Sequence, residues 1–427
     1  MTRLIVGPFN RVEGDLEVTL DIADGVVTQA RVNAPMYRGF EQMLAGREPH
    51  DALVIVPRIC GICSVSQSVA AARALADLAG VQLPPNGVHT INLMLACENL
   101  ADHLSHFYLF FMPDFTRPVY AARPWFTEAT RRFAALAGDH ARAAIAARQR
   151  WFEIMGTLGG KWPHTHSVQP GGSARGIDAS ERLRLLAKVH ELRAFLETTT
   201  FAAPLEEVAG LGDEAALQAW HAADPVRGDL RLFLTIAADL GLDRLGRGPG
   251  TLLSYGAYRN PDGEAAFAAG VWDEASATLA ALDLGAIAED STHAWLAGGT
   301  LHPREGRTEP DADKPGAYTW NKAPRLAGRV VETGAIARQL ASGQPLLRDV
   351  VGRHGANVSS RVLARLMELA RVLPLMEQWL AAVRPREPFF APATLPAEGD
   401  GVGLTEAARG ALGHWVSLRQ GRIASYQ

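Results

Sequence analysis

Arg58-Ile59-Cys60-Gly61-Ile62-Cys63-Ser64 contains two of the three cysteines among the 427 residues and leads into an alanine-rich segment. Residues 67–79 have the composition of a helix, and Gly80 follows them as a typical helix end. Two thiols three positions apart at a helix start can face one metal ion or form one redox pair. Cysteine chemistry is therefore concentrated at this point, and the small side chains of the helix let neighbouring backbone approach it.

Three interpretations of this pair stay open from the residues alone. A redox pair of the thioredoxin type belongs in a βαβ context, whereas the surroundings here are helical. A structural zinc site needs four ligands, which Cys97 and histidines would have to complete. The pair could also be two inert core cysteines. The Gly61-Ile62 spacer leans towards exposure, which argues against that last interpretation. A helix start also lowers thiol pKa values.

The N-terminal part has the alternation of a β-hairpin. Leu16, Val18, Leu20 and Ile22 share one face of a strand, Asp24-Gly25 is a tight-turn pair, and residues 26–32 would form the returning strand.

Helices dominate from about residue 40. On the first long helix we expect Cys97 to be a buried core thiol, with His103 and His106 as core or supporting side chains rather than ligands. We expect Pro374 to kink or end the last one. Apolar residues spaced by three and four predict helices over 88–111, 185–196 and 362–373.

A second hairpin is predicted over residues 415–426, and the chain stops at its second strand. We therefore expect an α+β, predominantly helical protein of one domain. Its β-rich part would cover 1–36, its mainly helical part 37–400, and a hairpin that is cut short would lie in 401–427.

Composition excludes several partners. The net charge is −4 and the basic residues are scattered, so no nucleic-acid surface is indicated. No apolar stretch reaches the length of a membrane span. Few cysteines and an N-terminus that turns polar within ten residues indicate a reducing, cytoplasmic location without a signal peptide.

With these motifs, the chain resembles the large subunit of the nickel–iron hydrogenases over nearly its whole length. The most specific motif is Arg-x-Cys-Gly-x-Cys at 58–63. The resemblance implies that family's fold, with a β-rich N-terminal part and a central helix bundle. The other matching segments are Arg11-Val12-Glu13-Gly14, Tyr37-Arg38-Gly39-Phe40-Glu41, Asp102-His103, His106-Phe107-Tyr108, Gly159-Gly160-Lys161-Trp162-Pro163-His164, Lys322-Ala323-Pro324-Arg325 and Ala411-Leu412-Gly413-His414-Trp415.

The resemblance also implies a nickel–iron centre whose iron carries CO and cyanide, and heterolytic cleavage of H2. Cys60 would be a terminal nickel ligand and Cys63 a bridging one. Glu13 matches the proton-transfer carboxylate and Glu41 a carboxylate of a Mg²⁺ site, and each could instead be a solvated charge. His164 matches a residue that faces the nearest iron–sulfur cluster of the partner, the small subunit. Maturation factors would load the metals.

One departure concerns the metal ligands. The family's second cysteine pair and its C-terminal magnesium ligand lie beyond the position that matches Gln427. We expect a truncated chain, and keep a metal-free relative that only binds a partner as the alternative.

Further departures concern the subclass. Ile62 and Phe110 are bulkier than the usual residues where the gas channel meets the metals, and Gln67 replaces a histidine near Arg58 and the cysteines. This combination resembles the cytoplasmic, regulatory hydrogenases, which sense H2, turn over slowly and signal through a histidine kinase. The alternative is an energy-conserving uptake hydrogenase.

Overall fold

The computed structural model describes residues 2–7, 9 and 15–427, in which long helices form the centre and small antiparallel sheets lie around them. The helices are α1 Phe40–Leu44, α2 Ala52–Ile55, α3 Ser64–Ala79, α4 Pro85–Ser105, α5 Phe126–Phe133, α6 Asp139–Trp151, α7 Glu153–Gly159, α8 Ala179–Phe195, α9 Leu205–Ala209, α10 Glu214–Ala222, α11 Asp229–Leu240, α12 Ala335–Ala341, α13 Pro345–His354 and α14 Val358–Ala382. The strands are β1 Thr2–Val6, β2 Glu17–Ala23, β3 Val26–Asn33, β4 Val168–Gln169, β5 Gly172–Ser173, β6 Thr251–Arg259, β7 Ala265–Asp273, β8 Thr278–Ala280, β9 Ile287–Asp290, β10 Ala323–Leu326, β11 Gly399–Ala407, β12 Gly410–Arg419 and β13 Arg422–Tyr426.

The expected α+β, predominantly helical architecture is confirmed. The sheets have the orders β1-β2-β3, β4-β5, β6-β7-β8, β10-β9 and β11-β12-β13. The two predicted hairpins are present as β2-β3 and β12-β13. Each is joined by one more strand, β1 or β11, which sequence alternation did not reveal.

The centre of the molecule is the pair α4 and α14, which pack against each other. The apolar stripe of α4 is buried throughout, from Leu93 to Leu104. After Ser105 the chain continues as a π-helical turn, His106–Phe111, so the predicted helix over 88–111 is correct in place but changes its winding at the end. Helix α8 begins at a capping box in which Asp178 accepts from Glu181 N–H.

Pro374 was predicted to kink or end its helix, and the prediction that the helix ends there is wrong. Helix α14 runs through Pro374 to Ala382. A proline inside a helix costs about 3 kcal/mol because it removes one backbone hydrogen bond and crowds the preceding turn. Helix α14 packs against α4, α8, α9 and α12, so tertiary contacts outweigh that local preference.

The helix that follows the cysteines is held by a glycine-rich strand. β11 lies directly on α3. A Cβ atom at Gly403 would lie 1.9 Å from the carbonyl oxygen of Ala70, and one at Gly401 would lie 2.3 Å from that of Ala74. Glycine on the strand and alanine on the helix therefore allow backbone-to-backbone contact, which fixes α3 and the thiols at its start.

Candidate metal centre

The two thiols meet at the N-terminus of α3. Cys63 is the residue immediately before the helix, and its N–H donates to Cys60 Sγ at 3.4 Å. Cys60 is buried and Cys63 half-buried. A hydrogen bond from the Cys63 thiol, with further help from the Cys63 N–H and from Arg409, lowers the pKa of Cys60 to about 6 against the effect of burial. Of the two thiols, Cys60 is therefore the one whose surroundings favour the thiolate form.

Arg409 places a positive charge on this pair. It lies in the turn between β11 and β12, and its Nη2 is 3.5 Å from Cys60 Sγ. A guanidinium at this distance favours the thiolate form and the accumulation of negative charge on a metal–thiolate group.

A buried carboxylate, Glu98 of α4, fixes the backbone just after the cysteines. Its oxygens accept from the N–H groups of Val65 at 2.8 Å and Ser66 at 2.9 Å. The hydroxyls of Ser64 and Ser66 donate to the same carboxylate, as does Trp162 Nε1 at 3.0 Å. Burial nevertheless raises the pKa of Glu98 to about 7. Glu98 thereby joins the first turn of α3, α4 and the loop at 160–166.

That loop covers the cysteines from the other side. Pro163 lies 3.9 Å from the position of a Cβ at Gly61, and the His164 N–H donates to Ser64 Oγ at 3.3 Å. His164 is half-buried, and the effects of burial and then of Arg58 and Lys161 lower its pKa. Arg58 and Lys161 are themselves exposed. The surface beside the sulfurs is therefore cationic.

Arg38 ties the predicted motif at 37–41 to the same loop. Its guanidinium donates to the carbonyls of Arg58 and Ile59, the two residues before Cys60. Glu41 of this motif lies elsewhere, in the first turn of α1, where it lines a cavity of about 640 Å³ together with Thr308.

Gln67 takes part in a buried hydrogen-bond chain behind Cys63. Because its Oε1 can only accept, the contact at 3.0 Å places the proton of His414 on Nε2. His414 Nδ1 then accepts from Tyr426 O–H at 2.8 Å. Burial lowers the pKa of His414 to about 3, so the imidazole is neutral. One turn of α3 is thereby connected to β12 and β13.

Several predicted site residues are not assembled with the sulfurs. Glu13 and its motif at 11–14 lie outside the described residues. Ile62 stands half-buried between the cysteines, whereas Phe110 lies on the π-helical turn with 39% of its surface exposed.

Two predictions about core residues of α4 are confirmed. Cys97 is a core thiol, fully buried and donating to Trp151 O at 3.7 Å. His103 is likewise a core residue, since it is fully buried and 3.3 Å from the carboxylate of Glu368.

The donor set fits a soft metal in part. Cys60 and Cys63 provide two hydrogen-bonded sulfurs, and the pKa of Cys60 is lowered towards the thiolate form that soft metals bind. Within residues 2–7, 9 and 15–427, no group of three or more His, Cys, Asp and Glu side chains could hold a metal ion. Two sulfurs from this loop are therefore one part of a coordination sphere that needs further ligands.

Sequence reasoning did not identify Arg409 or Glu98. Arg409 stands two residues before the quoted segment that begins at Ala411, and a lone arginine carries no signal of its own. Glu98 could have been noticed as a carboxylate directly beside the apolar stripe residue Cys97, because a buried acid needs partners.

Comparison with known proteins agrees with this geometry. A family model described as nickel-dependent hydrogenase matches residues 38–136 and 229–427. The periplasmic [NiFeSe] hydrogenase large subunit of Desulfomicrobium baculatum is 28% identical, over 100% of this chain and 84% of its own length. The uptake hydrogenase large subunit of Azotobacter chroococcum mcd 1 is also 28% identical, over 100% of this chain and 86% of its own length.

Solved structures give the same result. The Ni-Fe-Se hydrogenase of D. vulgaris Hildenborough in the reduced state matches with a TM-score of 0.83 and 28% identity, over 100% of this chain and 88% of that one. The H2-activated [NiFeSe] hydrogenase of Dm. baculatum matches with a TM-score of 0.83 and 26% identity, at the same coverages.

The relatives also correct one expectation. We expected a cytoplasmic location, and this is wrong, because the relatives include a periplasmic enzyme and uptake enzymes. The expectation rested on the small number of cysteines and on the polar N-terminal residues, and neither feature by itself determines where a protein is located. Among the described helices, none has the length and apolar character needed to cross a membrane.

Proposed function

The chain belongs to the nickel-dependent hydrogenases as a large subunit, and on that premise we propose that Cys60 and Cys63 hold part of a nickel–iron centre at which H2 is cleaved heterolytically. The observation that carries the proposal is the hydrogen bond between the two thiols, with Arg409 Nη2 3.5 Å from Cys60 Sγ. The iron would carry CO and cyanide, as the sequence resemblance implies. When bound, such a centre supplies the redox-active metal for the electrons of H2.

The chain's own residues would do three things in this reaction. The two sulfurs bind the metal, and Arg409 keeps a positive charge at Cys60 Sγ, where negative charge accumulates. Glu98 and the loop at 160–166 hold the cysteine loop rigid and limit the access of water. Glu13 remains our prediction for the carboxylate that receives the proton.

We further propose that an iron–sulfur small subunit docks over the cationic surface next to the sulfurs. Arg58, Lys161 and His166 are exposed there, and His164 is half-buried beside them. Electrons would then leave along the shortest route from Cys60 and Cys63. Glu41 remains a predicted Mg²⁺ ligand in its separate cavity, and maturation factors remain predicted partners.

Two physiological roles fit this centre. The names of the relatives favour H2 uptake with delivery of electrons to an acceptor. The role of an H2 sensor with a histidine kinase is the second candidate, and it rests only on the sequence resemblance at Ile62, Gln67 and Phe110. A turnover rate in the range typical of enzymes, about 10 s⁻¹ or more, would support uptake and reject the sensor.

The metal proposal is tested by replacing each cysteine in turn. We expect Cys60→Ser and Cys63→Ser to lose nickel and H2-dependent dye reduction, because a serine hydroxyl is a poor ligand for a soft metal. Cys97→Ala is the matched control, since that thiol lies in the core and should leave the nickel content unchanged. Nickel and iron are measured by elemental analysis, and CO and cyanide by their infrared bands.

Full nickel content and activity in both serine variants would contradict the proposal. Loss of nickel in Cys97→Ala, with the fold intact by circular dichroism, would contradict the assignment of Cys97 to the core.

A further inference from the structure

The turn that carries Arg409 is held by hydrogen bonds to a second arginine, Arg338 of α12. The side chains of Arg338 and of its partner Glu406 are both fully buried. Arg338 Nη1 donates to Glu406 Oε2 at 2.7 Å and to Ala407 O at 2.8 Å, and Nη2 donates to Ala408 O at 3.2 Å. Three successive residues before Arg409 are therefore bound to one guanidinium.

The other side of the same guanidinium is anchored in the helix bundle. Arg338 Nε and Nη2 donate to the two oxygens of Glu368 on α14, each at 3.0 Å. All five N–H donors of Arg338 thus have an acceptor. Glu406 also accepts from Tyr255 N–H of β6 at 2.7 Å, so the turn is bound to α12, α14 and β6 together.

The backbone of the turn lies equally close to the start of α12. A Cβ atom at Gly410 would lie 2.2 Å from Thr333 Oγ1, and one at Gly334 would lie 3.3 Å from Arg409 O. Both glycines have positive φ, 141° and 116°. This contact is independent of the Arg338 side chain and leads to the same conclusion, that α12 is the support on which the turn rests.

We propose that Arg338 is a positioning residue that holds Arg409 at Cys60 Sγ through Glu406 and the carbonyls of Ala407 and Ala408. The proposal deepens the function proposed above and rests on it. Lysine cannot replace this arginine, because one ammonium group cannot reach two carboxylates and two carbonyls in a planar fork. Loss of the fork would free the turn while the cysteine loop, held by Glu98, stays in place.

The structural part of the test needs no metal. In the intact protein, hydrogen exchange of peptides that cover 405–411 should become about tenfold faster in Arg338→Lys, while peptides that cover 60–66 stay unchanged. Arg132→Lys is the matched control. Arg132 is another buried arginine with a carboxylate and backbone carbonyls as acceptors, namely Asp229 at 3.0 Å and Gly228 O at 2.9 Å, and these acceptors make no contact with the sulfurs.

The functional part is a double-mutant cycle in the assembled enzyme. We expect Arg338→Lys to lower kcat about tenfold with the KM for H2 unchanged, and Arg338→Lys/Arg409→Lys to lose no more activity than Arg409→Lys alone. The infrared bands of the iron ligands should shift in the same direction in both single variants. Arg132→Lys combined with Arg409→Lys should show independent effects.

If Arg338→Lys does not fold, Glu406→Gln weakens the same set of hydrogen bonds and takes its place. Additive losses in the cycle, or unchanged exchange over 405–411, would overturn the positioning role. A wild-type enzyme that holds nickel but does not react with H2 would overturn the proposed function, and the exchange result would still stand.

Discussion

The position of the cysteine loop depends on single residues that allow close backbone contact. Gly403 on β11 faces Ala70 on α3, seven residues after Cys63. No other residue type fits there, since the nearest atom to an added Cβ is a backbone oxygen that cannot rotate away. The geometry of the sulfurs therefore rests partly on a strand about 340 positions away in the sequence.

Gly403→Ala should therefore be strongly destabilising. We expect a loss of about 3 kcal/mol in the free energy of unfolding, because one of two packed backbones must move to admit the methyl group. The measurement is a urea unfolding curve. Gly156→Ala is the matched control. Gly156 lies in α7 with no atom within 4 Å of the added Cβ, and the same change should stabilise by about 0.5–1 kcal/mol. Equal effects at both positions would contradict the close-contact argument.

At this scale, the sequence predicts what is local. The two sulfurs could be placed together because their spacing and the following helix are contained in ten residues. Arg409 could not, because it reaches Cys60 from 349 positions away and its own neighbours carry no mark of that contact. The chain from Gln67 to Tyr426 through His414 is hidden for the same reason.

Among the elements, α14 shows how packing outweighs local preference. Its apolar spacing predicted a helix correctly, while Pro374 predicted an end that does not occur. The β6-β7 hairpin, in contrast, was not predicted at all. Residues 251–258 are buried without interruption, so the strand lacks the alternation that revealed β2 and β3.

Pro374→Ala should stabilise the protein. Alanine restores a backbone N–H inside α14 and removes the crowding of the preceding turn, which should stabilise the folded state by about 3 kcal/mol. The unfolded chain becomes more flexible without the proline, and this should reduce the gain by up to about 1 kcal/mol. The net expectation is a gain of about 2 kcal/mol in a chemical unfolding experiment.

Pro345→Ala provides the control for that experiment. Pro345 is the first residue of α13, where its ring suits the helix, and its replacement should destabilise slightly. A loss of stability in Pro374→Ala would show that the proline ring itself contributes packing that alanine cannot replace.

Across the whole molecule, desolvated histidines and glutamates change the free energy of unfolding in opposite directions as the pH changes. Burial lowers the pKa values of His106 and His414 to about 3, so both are neutral in the folded protein. Since histidine has a pKa of about 6.5 when unfolded, each contributes stability that is lost as the pH falls below 6.5. Burial raises the pKa values of Glu98 and Glu406 to about 7, so these two contribute stability at low pH that is lost as the pH rises through 7.

These opposite terms flatten the pH profile of the wild type, so the contribution of one histidine is best measured as a difference. We expect the stability advantage of the wild type over His414→Gln to shrink by about 2 kcal/mol between pH 7 and pH 5, because only the unfolded wild type gains the proton. Tyr426→Phe removes one hydrogen bond of the same chain but keeps the imidazole, so its difference from the wild type should change much less with pH. If the stability difference between the wild type and His414→Gln stayed constant from pH 7 to pH 5, the folded protein would accept a proton on the His414 imidazole without losing stability. The hydrogen bond from His414 Nε2 to Gln67 would then not keep the imidazole neutral.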